Sequence, residues 1–221
     1  MLSKKLNHRL DKPLSPFVRQ LARSGITPNM LTVGGVVMNC IAGATLLYGF
    51  LRVGGILVIA GGLFDLLDGA LARVVGKESR FGSVLDSTLD RYSDIIPILG
   101  LLLHYSGWRY SEEPRLGEAA LCGIVILGTL LVPYVRARAE TVIEKCDVGL
   151  AERAERVIIF AGGLIVGAEV AVLWILALLT HLTVIHRLFY TRSQLAEKRG
   201  APAASATEKN EGLTPSDAET E

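Results

Sequence analysis

Four aspartates set in apolar sequence, Asp65, Asp68, Asp86 and Asp90, are the residues whose type and spacing point most directly to chemistry. On helices the members of the first pair are three apart and those of the second four apart, so each pair shares one helix face, and the two pairs can face each other across a helical hairpin. Acids within or beside membrane segments are costly to bury and persist where they pair, bind an ion or react. Four in a small volume repel one another, and bound divalent cations relieve that repulsion. Oxygen-only ligands favour hard ions such as Mg²⁺, Mn²⁺ or Ca²⁺. Two such ions suit phosphoryl chemistry, because they neutralise a pyrophosphate and its leaving group. Gly69 follows Asp68, Ala72 lies one turn on and Gly82 one turn before Asp86, so missing side chains leave room for a bulky ligand. Arg73 is a candidate phosphate contact.

These residues need a membrane scaffold, and the composition supplies one. Half of the 221 residues are hydrophobic, 6% are aromatic and 20% charged. The apolar residues come in runs long enough to span a bilayer, which takes about 20 residues each, divided by short charged breaks. The net charge of +1 excludes a globally basic nucleic-acid binder, so no nucleic-acid partner is expected. Cys40, Cys122 and Cys146 have no paired spacing and read as packing residues. The basic first 25 residues never reach the apolar run of a signal peptide.

The expected fold is all-α integral membrane, with six transmembrane helices and an N-terminal interfacial amphipathic helix. That first helix covers about Ser15 to Ser24, with Phe17, Val18, Leu21 and Ala22 opposite Arg19, Gln20 and Arg23. The spans are Met30 to Leu51, Gly54 to Val75, Phe81 or Gly82 to His104, and Leu116 to Ala139, the last kinked at Pro133. The apolar stretch Val157 to Tyr190 divides near Gly167 to Glu169 into a fifth and a sixth span. Tyr105, Trp108 and Tyr110 read as an interfacial aromatic belt. The Gly-Gly pairs at 34, 54, 61 and 162 read as sites of close helix packing. Residues 1–195 form the membrane domain, and residues 196–221 a disordered polar tail.

Lys and Arg concentrate in the N-terminal segment, in residues 73–80, in residues 136–156 and in the C-terminal segment. The opposite connections hold only Arg52, Arg109 and Arg115. The positive-inside rule then places both termini and the aspartates on the cytoplasmic side of a multi-pass cell-membrane protein.

Asp65-x2-Asp68-Gly69-x2-Ala72-Arg73-x8-Gly82-x3-Asp86-x3-Asp90 resembles the complete signature of the CDP-alcohol phosphotransferase family, and Thr27-Pro28-Asn29-x2-Thr32 resembles that family's approach to its first span. The resemblance implies a six-helix membrane enzyme, expected as a homodimer, that moves a phosphatidyl group from CDP-diacylglycerol to an alcohol and releases CMP. It implies that Asp65, Asp68, Asp86 and Asp90 hold two divalent ions, Mg²⁺ or Mn²⁺, and that Asp90 is also the general base. Asp68, Gly69, Ala72, Arg73, Gly82, Asn29 and Thr32 would form the nucleotide site.

The acceptor must be read from the second half. Arg136, Arg153, Arg156 and Arg187 fall on the side of the aspartates, and guanidinium groups suit a phosphorylated acceptor. These stretches resemble those of bacterial phosphatidylinositol phosphate synthases, which use inositol 1-phosphate. Arg136 stands where those enzymes usually carry Lys, and Ala154 where they usually carry Pro. Inositol 1-phosphate is therefore the expected acceptor and glycerol 3-phosphate, used by phosphatidylglycerophosphate synthases, the alternative. From another class, a cation-binding transporter would use the same acids for an ion path. His181 and His186, five apart, share no helix face well enough for a metal.

Overall fold

The computed structural model describes residues 18, 20–75, 80–108 and 113–211, and among them every regular element is helical. Six helices follow in order: α1 (Pro28–Leu47), α2 (Leu51–Val75), α3 (Arg80–Tyr105), α4 (Leu116–Ala139), α5 (Arg153–Val166) and α6 (Glu169–Glu211). α1 starts where local chemistry dictates. Thr27 caps it, its hydroxyl accepting the Met30 N–H at 3.4 Å, and Pro28 takes a first-turn position that needs no backbone donor.

One core joins all six helices, including Ala42 and Leu46 of α1, Val58 of α2, Leu101 of α3, Val125 of α4, Phe160 of α5 and Leu173 of α6. The outer faces are apolar too. Val33, Val37 and Ile41 are exposed along α1, and Leu178, Leu182 and Ile185 along α6. Apolar residues both inside and outside a helix mark a span in lipid. α1, α2, α4 and residues Glu169–Glu197 of α6 are long and apolar enough to cross a membrane. α3 has 26 residues but carries acids in its first half, and α5, with 14 residues, is about 21 Å long at 1.5 Å per residue. That is short of the roughly 30 Å hydrocarbon core.

The break near Gly167 falls where expected. Gly167 takes the left-handed conformation at φ 82°, which glycine adopts without a Cβ penalty, and ends α5. Backbone contact fixes α1 against α3: a Cβ on Gly100 would come within 2.1 Å of Gly43 O. α2 and α3 each run along α1 and barely touch one another, which leaves an opening between the two acid-bearing helices.

Several expectations change. Tyr105 is 2% exposed, packed in the core under the Arg115 guanidinium, 4.7 Å from its ring centroid, and so is no belt residue. Trp108 is 67% exposed, and Tyr110 lies outside the described residues. Cys122 and Cys146 are buried, but Cys40 is exposed on α1. Pro133, where a kink is expected, lies inside the single helix α4. The helix α6 includes residues 196–211 of the expected polar tail. Residues 212–221 lie outside the described residues. Of the amphipathic N-terminal helix, Val18 and residues 20–23 are helical, and Val18 is buried with Leu31, Leu67, Ala70 and Leu71. Its remaining residues 15–17 and 19 lie outside the described ones.

Candidate active site

The spacing of the acids becomes geometry at the ends of α2 and α3. Asp65 and Asp68 sit on one face of the last turns of α2, and Asp86, Asp90 and Asp94 recur every four residues along one face of α3. Asp65, Asp68 and Asp86 bring one carboxylate oxygen each to within 4.8 Å of one another. Their exposure rises from buried Asp68 through half-buried Asp65 to exposed Asp86, so the group opens outward. Three hard oxygens at this separation fit a hard divalent cation and no soft one.

Asp90 is not one of that trio but lies beside both Asp65 and a guanidinium. Arg153, the first residue of α5, reaches into the acids: its Nη1 donates to Asp65 Oδ2 at 2.6 Å and lies 2.8 Å from Asp90 Oδ1, and its Nε donates to Asp94 Oδ1 at 2.9 Å. Arg91 approaches Asp90 at 3.9 Å. Three carboxylates thus contact Arg153, with Asp68 and Asp86 close by, and the excess of negative charge over Arg153 and Arg91 favours cations there. α5 is positioned for this by its start, where the Glu155 side chain turns back to accept the Glu152 N–H at 2.9 Å.

The residues expected at a nucleotide site divide. Gly69 is open: a Cβ there would meet only Arg73 Nη1, at 3.7 Å. Ala72 is half-buried, Arg73 exposed and Gly82 half-buried. Asn29 is exposed at the first turn of α1. Thr32 is turned to the acids instead, its hydroxyl donating to Asp68 Oδ2 at 2.7 Å.

The four arginines expected to converge on an acceptor are held in different ways. Only Arg153 enters the acid cluster. Arg156 is buried and donates through Nη1 to Ala151 O at 3.2 Å; its charged neighbours are Asp94, Arg91, Arg153 and Arg187. Arg187 is buried as well, donating through Nε to Val148 O at 2.8 Å and through Nη1 to Val132 O. Arg136 is exposed and engaged by Glu140 at 3.0 Å and Asp147 at 2.7 Å. His181 bonds the carbonyl of Ala177 one turn back, away from any acid.

Asp94 and Asn39 are part of the site but are absent from the sequence reading. The four-residue recurrence Asp86, Asp90, Asp94 is a signal for the first. Nothing local announces Asn39, which is buried on α1 and lines the small space among Asp65, Asp68, Asp90 and Arg153. A neighbouring cavity, of about 40 Å³, is lined by Asn39, Ser93, Asp94, Thr129, Arg153 and Arg156 among others.

The CDP-alcohol phosphatidyltransferase family model matches residues 25–204. The archaetidylinositol phosphate synthase of Pyrococcus horikoshii is 34% identical over 197 residues, 88% of this chain and 98% of its own. Among solved structures, the phosphatidylinositol phosphate synthase of Mycobacterium tuberculosis in complex with manganese and citrate is similar at a TM-score of 0.71, with 34% identity, over 80% of this chain and 87% of that one. The same enzyme with CDP-DAG bound is similar at a TM-score of 0.70, with 33% identity, over 80% of this chain and 92% of that one.

Proposed function

The chain belongs to the CDP-alcohol phosphatidyltransferase family, and on that premise we propose that it transfers the phosphatidyl group of CDP-diacylglycerol to inositol 1-phosphate and releases CMP. As a transferase it is no cation transporter, and the alternative of an ion path falls. The observation that carries the reading is the gathering of Asp65, Asp68 and Asp86 beside Arg153, an acid cluster with a guanidinium at its edge. The names of the relatives above support an inositol phosphate acceptor.

In this reading Asp65, Asp68, Asp86 and Asp90 hold two divalent cations, Mg²⁺ or Mn²⁺. Such ions, when bound, neutralise the pyrophosphate and the departing CMP. The protein's own part is positioning and proton transfer. Gly69, Ala72, Gly82, Arg73 and Asn29 admit the cytidine and pyrophosphate, and Thr32 orients Asp68. The acceptor hydroxyl oxygen forms a bond to the phosphorus that bears the lipid, the bond from that phosphorus to the CMP oxygen breaks, and the hydroxyl proton passes to Asp90. Arg153 contacts the acceptor phosphate, and Arg156, Arg187 and Arg136 supply positive charge behind it. We further propose six membrane-crossing helices with the active site and both termini facing the cytoplasm, and a homodimer.

The test is CMP release by purified protein in detergent with Mg²⁺ or Mn²⁺, comparing inositol 1-phosphate, glycerol 3-phosphate, free inositol and serine. Release dependent on inositol 1-phosphate is expected. Preference for glycerol 3-phosphate replaces the acceptor, and preference for an unphosphorylated alcohol removes the phosphate-binding role of the arginines.

A further inference from the structure

Asp94 occupies no position of the eight-residue signature, yet it is the most enclosed acid that Arg153 meets. Its side chain is 6% exposed, against 16% for Asp90 and 36% for Asp65. One oxygen accepts from Arg153 Nε at 2.9 Å, and the other is buried without a hydrogen-bond partner. A buried carboxylate needs partners that offset its lost hydration, and Arg153 is the cation bonded to it. Arg153 in turn opens α5, at the positive end of that helix, where a cation is disfavoured unless acids compensate. The two residues hold each other across 59 positions of sequence.

The donors of Arg153 are divided in a way that matters. Nη1 faces Asp65 and Asp90, both among the acids that would hold cations, whereas Nε faces Asp94 alone. A divalent cation held by Asp65 and Asp90 would compete with the guanidinium for their carboxylates and could draw them away from Nη1. The contact with Asp94 lies outside that competition. We infer that Asp94 is a positioning residue: it tethers Arg153 through Nε, so that the outer edge of the guanidinium, once released by Asp65 and Asp90, remains aimed at the phosphate of the acceptor. This rests on the reading of Arg153 as the acceptor-phosphate contact.

Asp94→Ala and Asp94→Asn in the full chain, in detergent, test the tether. Three quantities are read: the KM for inositol 1-phosphate against that for CDP-diacylglycerol, Mn²⁺ affinity by electron paramagnetic resonance, and the affinity of Mg²⁺-loaded protein for inorganic phosphate by calorimetry. Asp94→Ala is expected to raise the acceptor KM and the phosphate Kd about tenfold or more, as loss of a charge-assisted contact implies, while donor KM and Mn²⁺ affinity stay within about threefold. Asp94→Asn keeps an oxygen for Nε and recovers part of the loss; it also carries the test if the alanine variant does not fold. Unchanged phosphate affinity in both variants overturns the inference, as does equal weakening of donor, metal and phosphate, which marks a merely structural residue. Should no acceptor support turnover in the parent protein, the functional reading fails, and the phosphate titration still decides the role of Asp94.

Discussion

The hydroxyl of Thr32 on α1 donates to Asp68 Oδ2 on α2 at 2.7 Å, and the same oxygen also lies 3.1 Å from Pro28 O. Thr32 has one proton to give, and the charged, nearer acceptor takes it. The α1 motif and the acid signature of α2 are therefore one device, in which the first helix orients a proposed metal ligand on the second.

Thr32→Val should accordingly weaken metal use rather than nucleotide contact. Partners that orient metal ligands are typically worth about tenfold or more in metal affinity. The Mg²⁺ concentration giving half-maximal CMP release should rise by about that factor, with turnover largely restored at saturating metal. A rise in donor KM at saturating metal, with unchanged Mg²⁺ dependence, would return Thr32 to the nucleotide site.

Asp90→Asn removes the proposed base and leaves Asp65, Asp68 and Asp86 in place. General-base contributions run at about 10²- to 10⁴-fold, so kcat should fall by that range while CDP-diacylglycerol binding stays measurable by calorimetry. Retained turnover assigns the proton to another group.

Chelation should be reversible in its effect. EDTA is expected to abolish CMP release, and Mg²⁺ or Mn²⁺ added in excess to restore it, because the carboxylates of Asp65, Asp68, Asp86, Asp90 and Asp94 outnumber the nearby guanidinium groups of Arg153 and Arg91 and lack compensating charge without cations. Activity that survives exhaustive chelation would end the metal-assisted reading.

Arg187→Ala is predicted to act through stability. Its guanidinium holds Val148 O and Val132 O from a buried position, and a buried carbonyl left without its partner costs about 1–3 kcal/mol. The thermal midpoint in detergent should drop, with the acceptor KM of the remaining folded enzyme changed less than in Arg153→Ala. The reverse ranking would make Arg187 a direct acceptor contact.

Gly100→Ala should loosen the frame of the site. The added Cβ would lie 2.1 Å from Gly43 O, so α1 and α3 must separate, and overpacking of this kind costs about 1–3 kcal/mol. A lowered thermal midpoint together with lost activity is expected, since α3 carries Asp86 and Asp90.

Much of this was legible one residue at a time. Asp65 with Asp68, and Asp86 with Asp90, follow from helical periodicity, and α4 ends at Ala139, where the apolar run ends. Thr27-Pro28 starts α1 and Gly167 ends α5, because caps are chosen by neighbours a few positions away. Tyr105 went the other way. An aromatic beside a polar loop reads as interfacial, but only the packing of α3 and α4, with Arg115 over its ring, decides that it is buried.

The sequence by itself determined the apolar helices, the acids on their faces and the family signature, since each is written in spacings of three, four or about twenty residues. Tertiary structure alone decided what those acids meet. Arg153 joins Asp65, Asp90 and Asp94, whereas Arg156 and Arg187 turn to backbone carbonyls and Arg136 to surface acids. All four are arginines expected on one side of the membrane, and nothing in their local sequence tells them apart. Which of them reaches the acids depends on where α5 begins against α2 and α3, a relation between residues 59 and 88 positions apart.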